Sequence, residues 1–369
     1  VVWLTTARRP AGPNGPLAPA LSAILPIQVL RALAAFMVAV HHVQPDAAVL
    51  ARLAGQPFAG SDLLPWMAGV DIFFVVSGFI MVHASAPLFD RPGAPALFLK
   101  RRLVRIVPLY WAATTLFLLI GLALPAALNS PAPSVGQIMA SYLFWPAVSS
   151  SGLVQPVYSL GWTLNYEMLF YALFAAALAL PRAVVVPAVT LALAILVCGT
   201  AAMGPLPLPF GFWGQPIVLE FAAGMGIALL HRRGLMLGAS PRVALVAVAI
   251  GLLLWSPHAL LSAGPWRDLA LHGSAAALLV LAAVTGSREP AAPSVLTITL
   301  ARIGDASYAL YLVHPFAIRG LREVFARVGL FEPWLFVAAA LASAVIAALL
   351  VHRLFEAPVT RALRRWTGA

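Results

Sequence analysis

Arg31 and His42 lie in or at the edge of one apolar run, Leu25 to Val43. Ionisable groups in a stretch able to cross a bilayer are costly, and their default reading is functional. Eleven helical steps turn through about three full turns plus some 20°, so both side chains fall on one face, roughly 16 Å apart. His41 is rotated well away from Arg31. An imidazole titrates near neutral pH and is nucleophilic when neutral, so His42 suits either a general base or a nucleophile. The plainer alternative has Arg31 snorkelling to headgroups while His42 caps the outer end of the helix.

Carboxylates interrupt three further apolar runs: Asp71 in GVDIFFVVSGF, Glu167 in GWTLNYEMLFY and Glu220 in IVLEFAAGMG. Each is expected about six to nine residues into an inward-running helix, roughly 9 to 14 Å below the outer surface. His314, in SYALYLVHPF, reaches a similar level. Ionisable groups at one depth from separate segments point to a polar cavity, in which Asp71 or Glu167 would orient the His42 ring. Glu220 and His314 suit structural partners more often than not.

The basic run KRRLVRIVPLYW, residues 100–111, places Arg102 and Arg105 three apart on one helix face. Guanidinium forks there suit a phosphate-bearing ligand, although topology and anionic lipid also favour basic residues at such a place. A coenzyme A thioester fits the whole pattern, with nucleotide phosphates at the arginines and the acyl group carried inward. No metal set is expected: HxxxH and HExxH spacings and a cysteine cluster are missing, as are a GxSxG elbow and a P-loop.

The elements that must position these groups follow from composition. With 62% hydrophobic and 9% charged residues in 369, the chain reads as an all-α, polytopic transmembrane helical bundle. Apolar runs near 24–43, 65–85, 106–128, 158–180, 183–203, 213–230, 241–257, 268–285, 304–320 and 333–352 give about ten helices. Both termini are then cytoplasmic, with seventeen basic residues inside and five outside: Arg52, Arg267, Arg319, Arg322 and Arg327. The cluster Arg319, Arg322, Arg327 is the exception, marking either an outer-face site or a ninth helix that runs long. The net charge of +11 lies in short clusters between apolar runs, so topology explains it better than nucleic acid does.

Residues 1–22 are expected as a disordered cytoplasmic tail, 23–355 as the transmembrane domain and 356–369 as a cytoplasmic C-terminal tail. Residues 135–148 read as interfacial or re-entrant, and Cys198 as a small packed hydrophobe.

Seven motifs in order, LRALAAFMVAVHH, GVDIFFVVSGFIM, FLKRRLVRIVPLYW, GWTLNYEMLFY, LEFAAGMGIA, IGDASYALYLVH and FEAPVTR, resemble the acyltransferase 3 family of integral membrane acyltransferases. IQVLRALAA and GWTLNYEMLFY are most similar to its exopolysaccharide-acetylating branch. The resemblance implies a multi-pass enzyme of the bacterial inner membrane. It would move an acyl group, usually acetyl from cytoplasmic acetyl-CoA, to a hydroxyl of an exopolysaccharide or lipid-linked envelope glycan. It also implies no bound cofactor, and polysaccharide-synthesis machinery as a further partner. The family's Arg and His fall on Arg31 and His42, and its Arg-x-x-Arg on Arg102 and Arg105. Its Trp-Ser-Leu-x-x-Glu falls on Trp162, Thr163, Leu164 and Glu167, threonine replacing serine. Arg31, between the two sites, is expected along the donor's arm, and Thr163, Glu220 and His314 around the polar cavity. Many members carry a further periplasmic esterase-like domain; here acceptor recognition is expected from the bundle, its loops or another protein. A proton-coupled transporter or flippase of a glycan or lipid intermediate is the alternative, though internal repeats are not visible. A non-catalytic scaffold is the third reading.

Overall fold

The computed structural model describes residues 18–124, 132–204, 206–256, 264–286 and 293–368. Every regular element among them is helical, and a lone bridge between Val148 and Val154 is the one β pairing among the described residues. The chain divides into two compact units, Val1–Ser77 with Ile227–Ala357, and Gly78–Gly226 with Pro358–Ala369.

In the first unit α1 (Ala18–Leu53) is the central rod. α2 (Gly69–Ala84) starts here after a 3-10 turn at Trp66–Ala68. The second unit is built on α3 (Ala94–Ala123), α4 (Val135–Tyr142), α5 (Trp162–Ala177) and α6 (Arg182–Met203). α7 (Leu219–Arg232) begins there after a 3-10 turn at Pro216–Val218. The first unit is completed by α8 (Ala239–Trp255), α9 (Ser274–Val284), α10 (Val295–Asp305), α11 (Ser307–Arg327) and α12 (Pro333–Val351). A π-helical turn, His352–Glu356, leads to α13 (Ala357–Thr367).

α1 packs against α9, α10, α11 and α12. Val43, Ala47 and Leu50, spaced four and three apart, put one face of α1 onto Ile318 and Phe325 of α11 and Phe336 and Ala340 of α12. α10 comes closer still. A Cβ at Gly304 would collide with the Gln28 carbonyl, so only glycine allows the approach that brings Asp305 beside Gln28. Gly304→Ala is expected to push α10 off α1 and cost about 1 to 3 kcal/mol. Thermal unfolding of the purified protein should show the lowered Tm; an unchanged Tm would mean that this close approach carries no stability. In the second unit, α3 packs on α4 and α5, and α5 on α6.

The expected count of about ten spans is corrected. Six helices among the described residues are long and apolar enough to cross a membrane: Leu25–Leu53, Trp66–Ala84, Ala94–Ala123, Arg182–Met203, Pro265–Val284 and Pro333–Thr367. Four expected spans fall short. α5 has 16 residues, α7 has 14 and α8 has 17, so at 1.5 Å per residue each is shorter than a hydrocarbon core of about 30 Å. α11 has 21 residues, but Arg319, Arg322, Glu323 and Arg327 interrupt its apolar character.

Residues 1–17 of the expected N-terminal tail lie outside the described residues, and α1 begins at Ala18. The expected C-terminal tail holds α13. Leu116, Leu119 and Leu122 on α3 and Leu335, Ile346 and Leu350 on α12 are exposed, a surface that suits lipid rather than water.

Candidate active site

In the first unit, α1 carries Arg31 and His42, and their side chains are held differently. The His42 Nδ1–H donates to the Val38 carbonyl one turn back, at 2.9 Å. A carbonyl can only accept, so this bond places the proton on Nδ1 and the ring's lone pair on Nε2. His314 of α11 repeats the arrangement, its Nδ1 donating to the Leu310 carbonyl at 2.9 Å. The two rings lie 5.0 Å apart, centroid to centroid. His314 is 0% exposed, and its Nε2 has no hydrogen-bond partner among the described residues. Tyr311 stands 6.1 Å from Phe73 of α2, ring to ring.

Arg31 donates to the Gln28 Oε1 at 2.8 Å, and Gln28 passes its Nε2–H to the Asp305 Oδ1 at 2.7 Å. Asp305 belongs to the IGDAS segment, whose glycine permits that approach. Asp71 is buried in the first turn of α2, and Glu220 is buried in the first turn of α7. Both lie nearer their helix starts than the sequence implies, because 3-10 turns occupy the residues before them. A carboxylate in a first turn complements the helix dipole.

The second unit holds Glu167, Thr163, Arg102 and Arg105. Glu167 accepts from the Tyr171 hydroxyl one turn on. Arg102 is 5% exposed, its guanidinium 5.4 Å from the centre of the Phe98 ring. Phe98 meets Tyr171 edge to face at 6.0 Å. The charged neighbours of Arg102 are Arg105, Glu167 and Arg364. Arg364 of α13 also neighbours Arg101 and Arg105. Thr163 is buried and bonds to the Leu160 carbonyl at 3.3 Å.

The structure thus brings His42 together with His314, and Glu167 together with Arg102. His42, His314, Asp71 and Arg31 belong to one unit; Glu167, Thr163, Glu220, Arg102 and Arg105 belong to the other. Of the exceptional basic cluster, Arg322 bridges to Asp46 of α1 at 2.7 Å, and α11 runs on to Arg327.

Three features are not foreseen from the sequence. Arg364 joins the arginine group, and its signal is the basic periodicity of TRALRRW, which reads as part of a tail. Asn165 is 1% exposed, with both amide atoms unpartnered among the described residues; its signal is a lone amide in an aromatic run. Ser256 and His272 share a 2.6 Å bond that ties the end of α8 to the turn before α9, which no spacing announces.

Residues 25–353 match a family described as "Acyltransferase domain", the acyltransferase 3 family. The chain is 36% identical over 301 residues to "Exopolysaccharide production protein ExoZ" of Rhizobium meliloti (strain 1021), covering 80% of this chain and 89% of that protein. It is 28% identical over 328 residues to "Acyltransferase MdmB" of Streptomyces mycarofaciens, covering 80% and 81%. A third relative, "Protein 2 in picA locus" of Rhizobium radiobacter, is 30% identical over 134 residues, covering 32% of this chain and 70% of that protein. No solved structure matches the chain. Helices able to span a bilayer, the His42 imidazole held inside one of them and a family match over residues 25–353 agree: the chain belongs to the acyltransferase 3 family and is a multi-pass membrane acyltransferase.

Proposed function

We propose that this enzyme, in the bacterial inner membrane, transfers an acyl group, acetyl above others, from coenzyme A to a hydroxyl of an exopolysaccharide or other envelope glycan. The observation that carries the reading is His42, fixed through Nδ1 on a membrane helix with Nε2 left for chemistry. In the simplest route Nε2 takes the proton of the acceptor hydroxyl as its oxygen attacks the thioester carbonyl. The new C–O bond forms, the C–S bond breaks, and the proton leaves on the thiol of coenzyme A. If His42 carries the acyl group instead, Nε2 attacks the thioester carbonyl, the C–S bond breaks and coenzyme A leaves as its thiolate. The hydroxyl then attacks the acyl carbon, the C–N bond breaks, and the hydroxyl proton balances the one the thiolate takes up.

Arg102 and Arg105 hold the donor's phosphates in this proposal, and Arg364 joins them. A fork of guanidinium donors recognises phosphate oxygens in pairs. Arg31, steadied by Gln28, meets the donor's arm. Asp71 and His314 supply polar groups to the unit that carries His42, and Glu167, Thr163 and Glu220 to the unit that carries Arg102. The similarity to an exopolysaccharide production protein supports a glycan acceptor, and donor use follows from the thioester chemistry that an imidazole can serve.

Purified protein in nanodiscs, given acetyl-CoA labelled in its acetyl group, tests the reading. The acceptor is oligosaccharide released from the host's own exopolysaccharide and stripped of esters with mild base. Label is expected in the oligosaccharide, as an ester that base removes. Absence of both thioester turnover and labelled glycan would overturn the proposal.

A further inference from the structure

An open cleft of about 520 Å³ lies at the C-terminal end of α1, under the connection that leads to α2. Such a volume is in the range of small-molecule sites, roughly 300 to 1,000 Å³. Its walls carry two aromatic rings, Phe58 and Trp66, and four polar side chains, His41, Gln44, Ser61 and Asp62. We infer that this cleft is the acceptor subsite, which receives a sugar residue of the glycan and leads its hydroxyl to His42. The inference rests on the acyltransferase reading and deepens it by naming where the acceptor binds.

The connection is built to hold a shape. Gln44 Oε1 accepts from the Ser61 backbone N–H at 2.5 Å, and the Trp66 indole N–H donates to the Ser61 carbonyl at 2.6 Å. A Cβ at Gly60 would meet the Gln44 Oε1, so a side chain there would displace the amide oxygen that Ser61 bonds to. Phe58 is braced by Trp334, their rings 5.2 Å apart, and packs against the core formed by α1, α11 and α12. Residues 54–65, without regular structure, are therefore pinned at Phe58 and Ser61 and by Trp66 just beyond them.

The chemistry matches a sugar better than an apolar ligand. Aromatic faces accept the C–H surface of a pyranose ring. The Asp62 carboxylate accepts hydroxyl protons. Gln44 has committed its Oε1 to Ser61 and offers an amide donor. His41 supplies a further nitrogen, and the Ser61 hydroxyl both donates and accepts. An open cleft also admits a residue within a chain, as a polymeric acceptor requires.

Location supplies the remaining argument. The ring of His41, in the cleft wall, meets that of His42 edge to face at 5.1 Å. The cleft wall thus ends at a ring in contact with the imidazole that the reaction needs, and in this inference the hydroxyl passes His41 to reach it. His41, rotated away from the Arg31 face, gains a role by facing the acceptor.

The test measures binding without donor. Wild type, Asp62→Asn and Trp66→Ala proteins in nanodiscs are titrated with the base-stripped oligosaccharide from the host's exopolysaccharide, and Tm is recorded for each. Affinity is expected to fall about tenfold or more in Asp62→Asn, which replaces an exposed side chain, and further in Trp66→Ala. Unchanged affinity in Asp62→Asn and in any Trp66→Ala protein that keeps its Tm would overturn the cleft as the acceptor subsite. Wild-type protein that binds the oligosaccharide in an Asp62-dependent way yet never acylates it would leave the cleft standing and sink the acyl-transfer reading instead.

Discussion

His42→Ala is expected to lower acetyl transfer by about 10²- to 10⁴-fold, the usual worth of a positioned proton-transfer group. The protein should remain in the membrane, because the substitution removes one hydrogen bond, to Val38, worth about 1 kcal/mol. Activity is read as labelled ester on the oligosaccharide, and folding as Tm. Full transfer by the alanine variant would exclude both the base and the carrier role. His42→Asn sharpens the experiment. An asparagine amide can keep the bond to the Val38 carbonyl while supplying nothing in place of Nε2, so it should be as inactive as alanine and closer to wild type in stability.

Arg105→Ala combined with Arg364→Ala is expected to raise the KM for acetyl-CoA by roughly 10- to 100-fold for each phosphate left without its arginine. A hydrogen bond to a charged group is worth about 1.5 to 3 kcal/mol, and about 1.4 kcal/mol is a factor of ten. The effect should shrink for acetyl pantetheine, which lacks the nucleotide phosphates, and in high salt, which screens the arginines in wild type too. An unchanged KM would remove these residues from the donor site. Arg102→Ala is a poorer variant for this purpose. Its guanidinium is buried against Phe98 beside Glu167, and removing one partner from a buried charge grouping destabilises by about 3 to 5 kcal/mol. Arg102→Ala is accordingly expected to deplete the folded protein before it reports on coenzyme A.

How much of this is legible in the sequence depends on the distance over which each signal acts. The eleven-residue interval between Arg31 and His42 needs only one helix, and α1 contains both. Apolar runs announce an all-α membrane protein, because burial in lipid demands an internally bonded backbone. Counting those runs overstates the number of spans for a local reason: hydropathy does not register where a 3-10 turn ends and a helix begins. Ser159–Gly161 and Pro216–Val218 form 3-10 turns from apolar runs that would otherwise extend the α-helices, and α5 and α7 are left at 16 and 14 residues. The partner of the His42 Nδ1 is hidden because a backbone carbonyl leaves no mark in a residue pattern. Arg364 is hidden by tertiary folding, since it lies 262 positions beyond Arg102 and joins it only through the packing of α13. The cleft depends on a connection whose order comes from Gln44, Gly60 and Trp66, none of which belongs to a periodic run.

Gln28 touches a cation with one end of its amide and an anion with the other. Position 28 therefore calls for a residue that is neutral yet polarised, long enough to span the gap and able to distinguish its two neighbours. A glutamate there would satisfy Arg31 and repel Asp305, and a lysine would do the reverse. An exchange of a single atom, nitrogen for oxygen, would set the anchorage of α10 against the restraint on Arg31.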